Sequence, residues 1–97
     1  MLYIGVLQFT LEIPYAISIK EKNGVIRSLK DRLRRSFNVS IAEIDDQDRL
    51  TMATLGATIA GSDQKKVNST LDHLLNELHD WRDGILVDQQ IEIFSPN

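Results

Sequence analysis

Seven of the chain's eleven basic side chains, Lys20, Lys22, Arg27, Lys30, Arg32, Arg34 and Arg35, fall within sixteen residues that hold only two acids, Glu21 and Asp31. That window carries a net charge of +5 and the other 81 residues carry −8, so the formal total of −3 conceals a polarised molecule. Such polarity suits an anionic partner. At about 100° per residue, Lys20, Arg27 and Arg34 align along one side of a helix, with Arg35 beside them and Lys30 toward a flank. The ridge would be about 20 Å long and would span several phosphates of a structured RNA backbone. An ordinary solvated face is the competing account: Asp31 has helical spacing to pair with Arg27 and Arg35, and cations in a last turn favour the helix dipole.

The other groups capable of chemistry are less specific. Glu43, Asp45, Asp46 and Asp48 form an acidic cluster, and strand alternation places Glu43 and Asp45 on one side. Carboxylates of this kind can hold Mg²⁺, but the cluster lacks the glycine and ligand spacing of a calcium loop and reads better as a solvated hairpin turn. Glu43 is also a candidate partner for a basic side chain within the fold. His73 and His79 are six apart, about 240° around a helix, and cannot share a metal as an i, i+4 pair could. There is no cysteine, hence no disulfide or thiolate chemistry. Gly56 and Gly61 are isolated and form no phosphate-cradling loop; Gly56 reads as a site of close packing or a local bulge. No cofactor, resident metal or catalytic residue is expected.

These groups must be held by a short list of elements. Leu7, Phe9, Leu11 and Ile13 alternate with polar residues as a strand buried on one face, which Pro14 ends. Ser18-Ile19-Lys20-Glu21 fits a reciprocal capping box, and Val25, Ile26, Leu29, Leu33 and Phe37 make the apolar stripe of a helix of about five turns. Gly24 weakens its start. Residues 38–45, with Val39, Ile41 and Ile44, predict a second strand and Asp46-Gln47-Asp48 its turn; residues 51–60, with Ala53, Leu55, Ala57 and Ile59, predict a third. Ser62 is placed to cap a second helix, with Asp63 at its positive end and a stripe of Val67, Leu71, Leu74, Leu75, Leu78 and Trp81; Gly84 closes it. The last strand, residues 85–94, sets Val87, Ile91 and Ile93 on one face.

Strand, helix, strand, strand, helix, strand with right-handed crossovers is the ferredoxin-like βαββαβ sandwich, an α+β fold with a four-stranded antiparallel sheet and two helices on one face. A chain of 97 residues supports one such domain, residues 1–97. The first and third strands lie centrally, so the open sheet face should show Gln8, Thr10, Glu12, Thr54, Thr58, Gln90 and Glu92, with Leu2, Ile4 and Val6 as an apolar patch at one end. RNA-recognition sheets stack bases on aromatics of their central strands. The aromatics here are Tyr3, Phe9, Tyr15, Phe37, Trp81 and Phe94, of which Phe9 points to the helices and the others lie at ends or in the core, so stacking on this sheet is not expected.

The segments Ser18-Ile19-Lys20-Glu21-Lys22, Leu29-Lys30-Asp31-Arg32-Leu33, Phe37-Asn38-Val39-Ser40-Ile41-Ala42-Glu43 and Gln47-Asp48 together resemble the YlxP-like family of small bacterial proteins of unassigned function, over nearly the whole chain. The resemblance implies the same ferredoxin-like fold and, because the family's genes neighbour those of transcription and translation factors, a role near ribosome assembly. Asn23 stands where members usually carry arginine, and Ile17 where a polar residue is common. The expected protein is thus a cytoplasmic, non-enzymatic binding module that contacts structured RNA, ribosomal RNA included, through Lys20, Arg27, Lys30, Arg34 and Arg35. Neither membrane insertion nor a signal peptide is expected, since the run from Leu2 to Phe9 is too short and lacks a basic prelude. The alternatives are a self-assembling or protein-binding domain that uses an edge strand, the Leu2, Ile4 and Val6 end or an acidic partner, and a divalent-metal enzyme at the acidic turn.

Overall fold

Two-residue apolar alternation and two amphipathic stripes resolve into six elements in a computed structural model, which describes residues 1–96. They are β1 (Tyr3–Glu12), α1 (Ile19–Ser36), β2 (Ser40–Asp45), β3 (Met52–Gly61), α2 (Gln64–His79) and β4 (Ile85–Phe94). The strands form one antiparallel sheet in the order β2-β3-β1-β4, the ferredoxin-like arrangement with β1 and β3 central. Leu7, Phe9 and Leu11 of β1 and Ala53, Leu55 and Ala57 of β3 are buried with Ile26, Leu29 and Leu33 of α1 and Val67, Leu71, Leu74 and Leu78 of α2. Each fully buried leucine there contributes about 1.5–3 kcal/mol. The opposite sheet face is polar as expected: Thr10 faces Thr54, and Gln8 faces Gly56 on one side and Gln90 on the other. Among the described residues, no helix is long and apolar enough to cross a membrane.

The N-terminus of α1 begins as its sequence demands, with the Ser18 hydroxyl accepting the Glu21 N–H at 3.0 Å, the hydroxyl half of the capping box. The cap of α2 is a correction. Asp63, not Ser62, is the N-cap, and its Oδ1 accepts the Lys65 N–H at 2.9 Å. Asp63 combines a short acceptor with a negative charge at the positive helix end, which a hydroxyl lacks. Trp81 is buried, but it follows the helix rather than continuing its stripe. Gly84 lets the backbone pass close to it, because a Cβ there would lie 2.6 Å from both the Trp81 ring and the Glu12 carbonyl.

Bulges move two sets of side chains away from simple alternation. The β2–β3 register shifts between Glu43 and Asp45, so Glu43 faces Leu55 on the helix side while Asp45 faces Thr54 on the open side. The two acids therefore do not share a face. Ile44 packs over Gly56 on the open face, where a Cβ would sit 3.4 Å from its Cγ2. A second shift, opposite Thr10 and Leu11, places Leu86 against Leu11. Val87 keeps the face it shares with Ile91 and Ile93 but is 49 % exposed there. Residues 38 and 39 precede β2, which starts at Ser40.

Candidate nucleic-acid interface

Helix α1 is an 18-residue rod whose buried line is Lys22, Ile26, Leu29 and Leu33. Its cations divide around that line. Lys20, Arg27 and Arg35 are exposed and Lys30 is partly exposed. Among the described residues, none of these four stands in an ion pair. Arg27 and Lys30 border a groove of about 300 Å³ between α1 and β2, lined also by Asn23, Ile26, Glu43 and Gln47.

Arg34 differs from the other ridge residues. Its Nη2 donates to the Ile41 carbonyl at 3.0 Å and its Nη1 lies 3.6 Å from Asp31 Oδ1, so it ties α1 to β2 and spends part of its charge within the fold. Asp31 pairs with Arg34 at i,i+3 rather than with Arg27 or Arg35, as spacing alone suggested. Arg32 lies on the other flank, its Nε 3.8 Å from Glu77 Oε2 of α2. The displayed charge is therefore Lys20, Arg27, Lys30 and Arg35, with Arg34 as a strut beside them.

Lys22, which the basic window counts but the ridge leaves out, is fully buried. Its Nζ donates to the Asp46 carbonyl and the Arg49 carbonyl, each at 2.6 Å, and lies 3.6 Å from Glu43 Oε2. These two carbonyls are the ends of the β2–β3 turn, which the Arg49 N–H closes onto the Asp46 carbonyl at 3.1 Å. A single ammonium thus clips both ends of the turn beneath the helix. A full charge is tolerated there only because carbonyls and a carboxylate surround it. Four residues before Ile26 and seven before Leu29, Lys22 sits on the apolar stripe, and that position was the available signal.

Within the acidic cluster, the carboxylates are used locally. Asp46 adopts φ 63°, a left-handed conformation that aspartate tolerates better than most residues. Its Oδ2 accepts the Thr54 hydroxyl at 2.7 Å and its Oδ1 lies 3.5 Å from Arg49. Since the Thr54 proton goes to Asp46, the 3.1 Å contact between Thr10 and Thr54 has Thr10 as donor. Asp45 Oδ1 accepts the Asp46 N–H at 2.8 Å. Among the described residues, Glu43 Oε2 is buried without a hydrogen bond and lies 3.6 Å from the Lys22 ammonium. Among the described residues, no three His, Asp or Glu side chains gather in a metal-holding group. His73 and His79 are both exposed on α2.

Residues 4–91 match the model of a family described as "Protein of unknown function (DUF503)". The chain is 33 % identical over 58 residues to a Bacillus subtilis (strain 168) protein described as "Uncharacterized protein YlxP"; the match covers 60 % of this chain and 63 % of that protein. Among solved structures, the de novo designed protein Ferredog-Diesel aligns with a TM-score of 0.49 at 14 % identity, covering 92 % of this chain and 83 % of that one.

Proposed function

From the premise that the chain belongs to the DUF503 family, whose description names no chemistry, we propose that it is a non-enzymatic binding module whose α1 face contacts the backbone of structured RNA, ribosomal RNA included. The observation that carries this reading is the display of Lys20, Arg27, Lys30 and Arg35 without carboxylate partners among the described residues, in a molecule whose net charge is negative. Backbone recognition requires cations spaced along a rigid support, and α1 is anchored by Ile26, Leu29 and Leu33 below and by Arg34 at its β2 flank. The polar open face of the sheet offers no stacking aromatics on its central strands, which favours the helix over the sheet as the contact surface.

The test is fluorescence anisotropy with a labelled ribosomal RNA hairpin across a salt series. Affinity should fall with salt at a log–log slope of about −3, as expected when three or four phosphates are neutralised. An Arg27→Gln, Arg35→Gln double variant should reduce that slope by about one to two and bind about tenfold more weakly, with its melting curve unchanged. Arg34→Gln is the wrong probe, because it also cuts the bond to the Ile41 carbonyl. Salt-independent binding, or indifference to the double variant, overturns the reading.

A further inference from the structure

Among the described residues β4 is a ten-residue edge strand that pairs with β1 on one side only, and its other edge is open to a further strand, with the Gln89 N–H donating to the neighbouring Asp88 Oδ1 at 2.9 Å. Edge strands of soluble proteins are usually short or covered. This one is long, and Val87 and Ile91 are 49 % and 41 % exposed. Both lie on the helix side of the sheet. Gln89 and Ile91 stand opposite the buried Phe9 and Leu7, alternation from Gln89 puts Val87 on the same side, and Val87 lines a shallow groove with His79, Leu86, Asp88 and Gln89. The strand thus presents an apolar residue two positions either side of Gln89.

We propose that a second copy of this chain docks on β4 as an antiparallel strand, about a twofold axis through Gln89, extending the sheet across the pair. Directly opposed side chains in a continuous sheet must share a face, so the axis passes through a residue facing its own copy. Charge and apolarity choose among the central residues. An axis at Asp88 sets two aspartates against each other, and one at Gln90 sets Asp88 against Glu92 twice. An axis at Ile91 sets Gln89 against Ile93 twice. Only the axis at Gln89 opposes Val87 to Ile91 twice while Asp88 meets the neutral Gln90. Like charges directly opposed destabilise a sheet, and β-branched pairs favour it. This interface shares no residue with the α1 surface and does not depend on RNA.

The test is sedimentation of the full chain without RNA, with cysteine variants and mild oxidation. The native chain, which has no cysteine, should give a dimer at high concentration, and Val87→Lys should raise the dimer dissociation constant about tenfold or more with unchanged circular dichroism. Gln89→Cys should oxidise to a covalent dimer and Gln90→Cys should not, because self-opposed residues have Cα atoms about 4.5–5.5 Å apart, within disulfide reach. A monomer at high concentration overturns the proposal. So does a dimer indifferent to Val87→Lys, or one that cross-links through Ile91→Cys and not Gln89→Cys.

Discussion

Lys22 shows how one side chain can be a charge to the sequence and a staple to the fold. Its ammonium lies beneath α1 with two carbonyls and the Glu43 carboxylate for company. Removing it leaves the Glu43 charge buried without compensation and both turn carbonyls without this donor. Lys22→Met should therefore lower unfolding free energy by about 3–5 kcal/mol, measured by urea denaturation. Adding Glu43→Gln to that variant should recover part of the loss, because it removes the stranded charge; a double-mutant cycle with no coupling would contradict the assignment. The same geometry explains why the window's charge overstates the contact surface. Of its seven cations, Lys22 is internal, Arg32 leans toward Glu77 and Arg34 is bonded to β2.

The elements follow their sequence signals where alternation is unbroken and depart from them where a strand carries an extra residue. β1 and β3 keep an unshifted register with each other over ten residues, and from Leu7 to Leu11 and Ala53 to Ile59 their buried positions follow the period-two apolar alternation. β2 and β4 each contain a shift, which sends Asp45 to the open face and sets Leu86 rather than Val87 opposite Leu11. No residue type in those stretches demands a bulge. Glycines divide in the same way. Gly5 lies where a Cβ would be 2.6 Å from Val67 Cγ1 and 3.0 Å from Leu71 Cδ1, so α2 rests directly on the β1 backbone. Gly5→Ala should cost about 1–3 kcal/mol by overpacking. Gly24, on the exposed side of α1 with nothing within 4 Å of such a Cβ, should gain about 0.5–1 kcal/mol on the same substitution. Thermal melts of the two variants should shift in opposite directions.

One buried cluster joins β1, α1, β2, β3 and α2, with Leu86 and Ile93 of β4 packed against it. A core shared so widely ties β1, α1, β2, β3 and α2 into one cooperative unit. Urea unfolding followed by the fluorescence of buried Trp81 and by far-UV circular dichroism should give coincident transitions; separated midpoints would show that the α2–β4 region melts independently. The basic side of α1 and the free edge of β4 lie on different elements, so an RNA ligand and a second copy could be held together without competing.

Periodicity and the Ser18 cap were sufficient for the element order and the outward direction of Lys20, Arg27 and Arg35, because those depend on a local repeat and on which face is apolar, and the rule of right-handed crossovers then put β1 and β3 in the centre. The partners of Lys22, the engagement of Arg34 by β2, the separation of Glu43 from Asp45 and the exposure of Val87 depend on distances between segments far apart in the chain. A repeat of two or of 3.6 residues states which way a side chain leaves its own backbone. It carries no information about which carbonyl or carboxylate another segment has brought to meet it.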